Sequence, residues 1–127
     1  MSEQQHDKNW RPVFIVSDGT AITAETLAHS VMTQFPDLVY DQQRIPFIDT
    51  PEKAHQVAKR IERTLNETGV RPLVFSTFVD PEISKEFLKT APGFQVELFR
   101  SFVGPMEREL GMKSTHTVGA THKIRNE

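Results

Sequence analysis

The feature that most limits what this chain can fold into is the passage from Val13-Phe14-Ile15-Val16 through Ser17-Asp18-Gly19-Thr20 into a periodic segment. In that segment Ala24, Leu27, Ala28, Val31 and Phe35 recur at i, i+3, i+4, i+7 and i+11. The first run has the unbroken apolarity of a strand covered on both faces, and the second has the one-sided period of a helix. A strand that turns at once into a helix is half of a parallel crossover. The helical spacing returns at Ala54, Val57, Ala58, Ile61 and Leu65, and a second continuous apolar run follows at Leu73-Val74-Phe75. Thr50 before Pro51 suits an N-cap and first helical position, with Gly69 just beyond the helix end, while Asp80-Pro81 and Gly93 bracket the next helix in the same way.

These signals predict strands near 12–17, 38–47, 72–78 and 94–99, alternating with helices near 20–35, 51–68, 81–90 and 102–111. Such alternation implies right-handed βαβ crossovers, hence an α/β fold with a mostly parallel four-stranded sheet and helices on both faces. Phe94-Gln95-Val96-Glu97-Leu98 alternates in polarity and the 38–47 segment carries Arg44 and Pro46, so these strands belong at the edges. The expected order is 2-1-3-4, a flavodoxin-like or Rossmann-like half whose ligand crevice lies at the carboxyl ends of the first and third strands. Residues 1–11 read as a polar arm, 12–111 as the α/β domain, and 112–127 as a linker with no core stripe.

That topology would bring Ser17, Asp18, Thr20, Asp49, Thr50, Ser76, Thr77, Asp80, Arg100 and Ser101 to one rim. The opening N–H groups of a helix lack intrahelical partners and carry the positive end of its dipole, so the Ser17–Thr20 loop can receive a phosphate or carboxylate. Gly19 permits a sharp turn or close approach of a ligand to the backbone. Hydroxyls of Ser17, Thr20 and Thr23, with Arg100, are candidates to hold a phosphate, and Asp18 or Asp49 to take a substrate proton or a metal-bound water. Helix capping explains Asp49, Thr50 and Asp80 equally well. Asp18 faces a choice between capping its own helix and leaving that positive end to an anion, with Thr20 available as the cap instead. Phe78, Phe99 and Phe102 form an apolar cluster at this rim, read as a cap on the core or a docking patch.

A net charge of −2 with both signs interspersed leaves no footprint for nucleic acid. No apolar run is long enough to span a bilayer, and Met1–Asn9 is too polar for a secretory signal, so the expected location is the cytoplasm. The absence of cysteine removes thiolate catalysis and fits a reducing compartment. His116 and His122 have no third ligand at useful spacing, and no metal site is expected. His29 and His55 read as solvated, as does the basic run Lys59-Arg60 with Arg63.

The segments VFIVSDGTAITAETLAHSVMTQFP, GVRPLVFSTFVDPEI, GPMERELG and THTVGATHK resemble the N-terminal half of the bacterial phosphoenolpyruvate synthetase regulatory protein family, which includes the pyruvate, phosphate dikinase regulatory proteins. The resemblance runs from about Pro12 over nearly the whole chain. It implies a cytoplasmic, bifunctional serine/threonine kinase and phosphate-dependent pyrophosphorylase. ADP and phosphate would be its cosubstrates, and a threonine of phosphoenolpyruvate synthetase its target. Ser17, Asp18, Gly19, Thr20 and Thr23 match the family motif. The family's Gly-x-Ser-x-x-Gly-Lys-Thr phosphate loop has no counterpart here, nor does any G-x-x-x-x-G-K-[ST] or G-x-G-x-x-G sequence. The expectation is therefore an N-terminal domain lacking a downstream P-loop domain, with no cofactor assured for this chain and self-association through the phenylalanine rim. A small flavodoxin-like phosphate- or nucleotide-binding module and a non-catalytic interaction domain are the alternatives.

Overall fold

A computed structural model describes residues 8–115. Strands β1 (Trp10–Ser17), β2 (Val39–Ile45), β3 (Leu73–Thr77) and β4 (Phe94–Glu97) alternate with helices α1 (Ile22–Met32), α2 (Pro51–Thr68), α3 (Pro81–Thr90) and α4 (Leu98–Leu110). The sheet is parallel throughout, in the order β2-β1-β3-β4 expected from strand composition. Alternate residues of the two inner strands face opposite layers. Phe14, Val16 and Val74 pack with Ala54, Val57, Ile61, Ile83 and Phe87 of α2 and α3. Val13, Ile15 and Phe75 pack with Ala24, Ala28 and Met32 of α1 and with Leu98.

The helices with local start and stop signals keep their predicted limits. Thr50 Oγ1 accepts the Lys53 amide at 3.1 Å, and Gly69, at φ 69°, ends α2 by donating to the Leu65 carbonyl at 2.8 Å. Asp80 Oδ1 accepts from the Glu82 and Ile83 amides at the start of α3. Helix α4 departs from expectation by beginning at Leu98, four residues early. The apolar alternation of β4 ends in a residue that reaches the core from the first turn of a helix, so strand passes into helix without a loop.

Helix α1 is also shorter than predicted, and only part of its stripe is covered. Ala24 and Ala28 are fully buried, whereas Leu27, Val31 and Phe35 stand at the surface. Two alanines let the helix backbone settle close to the sheet, which leaves bulkier flanking residues at its sides. The expected phenylalanine cluster is likewise divided. Phe78 is 2% exposed and lies 5.1 Å, centroid to centroid, from Phe87, whereas Phe99 is half-buried and Phe102 is 62% exposed. Phe78 belongs to the core because the chain turns inward after β3 to start α3; Phe102 lies on the outer side of α4. His116, His122 and most of the expected 112–127 linker fall outside the described residues.

Candidate functional site

Three loops meet at the carboxyl edge of β1, β2 and β3, where the sheet order reverses. Parallel register sets Ser17 against Thr77. Ser17 Oγ donates to the Thr77 carbonyl at 3.1 Å and accepts from Thr77 Oγ1 and the Gly19 amide, each at 3.0 Å. A hydroxyl has one proton and two lone pairs, so all of its capacity is used. Ser17 is buried and fixes the loop from beneath. Its carbonyl accepts from the Ile48 amide at 2.9 Å, and the Gly19 carbonyl from the Phe47 amide at 2.8 Å, joining the β2–α2 connection to the same turn.

Asp18 does not cap its own helix. Its Oδ2 accepts from the Val79 and Asp80 amides at 3.0 Å each, so the side chain spans β1 to β3 and ties down the segment that opens α3. The start of α1 is thereby left without a capping carboxylate, and Glu25 in its first turn is engaged by Gln42 Nε2 at 2.7 Å and Arg44 Nη1 at 3.2 Å. Thr20 Oγ1 lies 3.4 Å from the Ile22 amide, a long contact, and the N-cap position itself is Ala21, which makes no side-chain cap bond. Among the described residues the Thr20, Ala21, Thr23 and Ala24 amides make no hydrogen bond, and Thr20 and Thr23 expose their hydroxyls beside them.

Gly19 was expected to supply the sharp turn, but the left-handed residues are Ala21, at φ 70°, and Phe47, at φ 61°. A Cβ on Gly19 would meet nothing nearer than Ser17 Oγ at 3.7 Å. The fold therefore tolerates alanine there, and close approach of a ligand is the remaining use for a missing side chain. Non-glycine residues at positive φ cost energy and concentrate at functional sites. No sequence signal marks Ala21 or Phe47, because neither is the residue type such a conformation favours.

The other candidates are engaged in other roles. Asp49 is exposed and bonded to Lys53 Nζ at 2.8 Å. The Lys53 ammonium holds its carboxyl below the usual range, which weakens it as a proton acceptor. This pairing persists above the ordinary carboxylate pKa and is lost as pH falls through the lowered value. Thr50 and Asp80 are caps. Ser76 is buried, its hydroxyl without a partner among the described residues. Arg100 lies in the first turn of α4, its Nε 3.6 Å from Glu97 Oε2, while Ser101 Oγ donates back to the Glu97 carbonyl. Arg100 lines a cleft that includes no residue of the 17–23 turn. His55 approaches Glu86 at 3.9 Å, and among the described residues no group of three or more His, Asp or Glu side chains is placed to hold a metal ion.

Comparison with known proteins bears on this site. A family model described as Kinase/pyrophosphorylase matches residues 13–127. Several relatives carry the name "Putative phosphoenolpyruvate synthase regulatory protein". That of Azoarcus sp. (strain BH72) is 52% identical over 114 residues, covering 90% of this chain and 41% of the relative. That of Janthinobacterium sp. (strain Marseille) is 50% identical over 112 residues, 88% of this chain and 39% of the relative. A Legionella pneumophila (strain Corby) relative is 47% identical over 116 residues, 91% and 42% respectively. The chain spans about two-fifths of the length of the curated relatives it matches.

Proposed function

The chain belongs to the Kinase/pyrophosphorylase family, and on that premise we propose that it serves a cytoplasmic, bifunctional regulator of phosphoenolpyruvate synthetase. In one direction ADP donates a phosphoryl group to a threonine of the target. In the other, inorganic phosphate attacks that phosphothreonine and departs as pyrophosphate. The family match over 13–127 carries this reading. The geometry supports a phosphate-handling role for the β1–α1 turn, where the amides of Thr20, Ala21, Thr23 and Ala24 and the hydroxyls of Thr20 and Thr23 surround the start of α1, which has no side-chain cap. Gly19 lets the phosphate reach the backbone, and Ser17 and Asp18 hold the turn in place. Among the described residues Asp18 Oδ1 makes no hydrogen bond, and it is the carboxylate oxygen available to a substrate hydroxyl.

Titrating the 127-residue chain with inorganic phosphate is expected to shift the amide resonances of Gly19, Thr20, Ala21 and Thr23. Gly19→Ala should weaken that binding about tenfold while leaving stability within about 0.5 kcal/mol, since its methyl meets only ordinary contacts. Shifts elsewhere with these four amides unmoved would remove the turn from the mechanism.

Nothing in residues 1–127 supplies a P-loop lysine, and we place the ADP contacts in a P-loop domain outside them. The 127-residue chain incubated with ADP and phosphoenolpyruvate synthetase should therefore transfer no phosphate to threonine. Radiolabel on the synthetase from β-labelled ADP would contradict that placement. Phe102, Met106, Leu110 and Met112 form an exposed apolar stripe at and just beyond α4, and we propose this as the surface of self-association.

A further inference from the structure

We propose that the cleft between the start of α3 and α4 is a second anion site, separate from the β1–α1 turn, and that it binds a phosphate monoester on an apolar neck, such as a phosphorylated threonine. The cleft encloses about 510 Å³, enough for a side chain with its phosphate, and is lined by Val79, Pro81, Phe99, Arg100, Gly104 and Arg108 among others.

The positive charge comes from two arginines. Arg108 makes no ion pair or hydrogen bond among the described residues, whereas Arg100 is ion-paired with Glu97, its Nε 3.6 Å from Oε2, and its terminal N–H groups make no hydrogen bond among the described residues. Their Cα atoms are about 12 Å apart along a helix axis, too far for one phosphate. However, a Cβ on Gly104 would stand 3.9 Å from Arg108 Nη1. The Arg108 side chain thus folds back by one turn, as helical side chains tend to do, and brings its guanidinium towards Arg100. Glu107 also lines the cleft, and its carboxylate, which accepts from the Ser114 amide at 2.7 Å through Oε2, offsets part of that positive charge.

The helix dipole of α3 is not the source of attraction. The Val79 and Asp80 amides are taken by Asp18, and those of Glu82 and Ile83 by Asp80. Guanidinium groups must therefore do the binding, and their planar forks match phosphate oxygens. Gly104-Pro105 places two of the poorest helix formers at the middle of α4, beside this cleft. Gly104 has no left-handed φ and no crowding neighbour to require it. Its missing side chain keeps the cleft open. The apolar walls of Val79, Pro81 and Phe99 favour a phosphate that carries carbon over the free ion.

The choice of a phosphorylated residue as occupant rests on the family reading, whereas the site itself is tested by direct binding to the 127-residue chain. The probes are N-acetyl-phosphothreonine-N-methylamide, its unphosphorylated counterpart and inorganic phosphate. The blocked phosphothreonine should shift the Nε–H resonances of Arg100 and Arg108 and the Phe99 amide. Arg108→Gln, at an exposed position, should weaken it about tenfold or more. Gly104→Leu should abolish binding without lowering the thermal midpoint. The unphosphorylated probe should leave these resonances unmoved. An unchanged dissociation constant in Arg108→Gln, or shifts confined to residues 19–24, would overturn the site and leave the family reading intact. Inorganic phosphate binding as tightly as the blocked phosphothreonine would overturn the apolar-neck assignment.

Discussion

Replacing Phe78 by alanine is expected to lower the unfolding free energy by about 3–5 kcal/mol. The ring is almost fully buried among Val74, Ile83 and Phe87, tilted 50° to the Phe87 ring. Its removal loses transfer energy, leaves a cavity that the sheet and α3 cannot close, and breaks an aromatic pair worth about 0.5–1.5 kcal/mol in itself. Against a total stability of about 5–15 kcal/mol, that is a large fraction. Urea unfolding should show a lower midpoint at unchanged slope. Phe102→Ser provides the contrast: its ring is on the surface, so stability should stay within about 0.5 kcal/mol while sedimentation shifts towards the monomer. A Phe78→Ala protein as stable as its parent would remove that ring from the core, and a Phe102→Ser protein sedimenting as the parent does would remove α4 from the proposed self-association.

What the sequence discloses about this fold is what its signals settle over a few residues. Thr50-Pro51 and Asp80-Pro81 fix the starts of α2 and α3 because a cap and its amides lie within one turn. Strand order follows from composition, since only β1 and β3 are apolar on both faces. The early start of α4 and the half-exposed stripe of α1 depend on how closely a helix sits on the sheet, which no local pattern encodes. The turn at Ser17–Thr20 has the residue types of a phosphate site, yet what Ser17 and Asp18 do is decided by partners about sixty positions away. Arg108 was illegible for another reason: only its rotamer, folded back over Gly104, brings it to the cleft.

Asp18→Ala is expected to destabilise the chain by about 2–4 kcal/mol, the combined weight of two charge-assisted hydrogen bonds less what water recovers at the exposed Asp80 amide. Asp18→Asn retains an acceptor oxygen for the same two amides and should cost only about 1 kcal/mol. That asymmetry separates two roles. A carboxylate serving only to accept a proton would leave stability untouched in both variants, whereas a tie between loops makes alanine far worse than asparagine. Hydrogen exchange locates the effect, because the Val79 and Asp80 amides should lose protection in Asp18→Ala ahead of the central strands. Equal stability of all three proteins with unchanged exchange at these amides would show that Asp18 holds nothing together. The same tie bears on the phosphate turn. By directing its charge to β3, Asp18 leaves the start of α1 free for an anion and orders the residues that shape the neighbouring cleft. Asp18→Ala should therefore weaken phosphate at the turn and the blocked phosphothreonine at the cleft together, a joint loss that Gly19→Ala and Arg108→Gln, each confined to one site, should not reproduce.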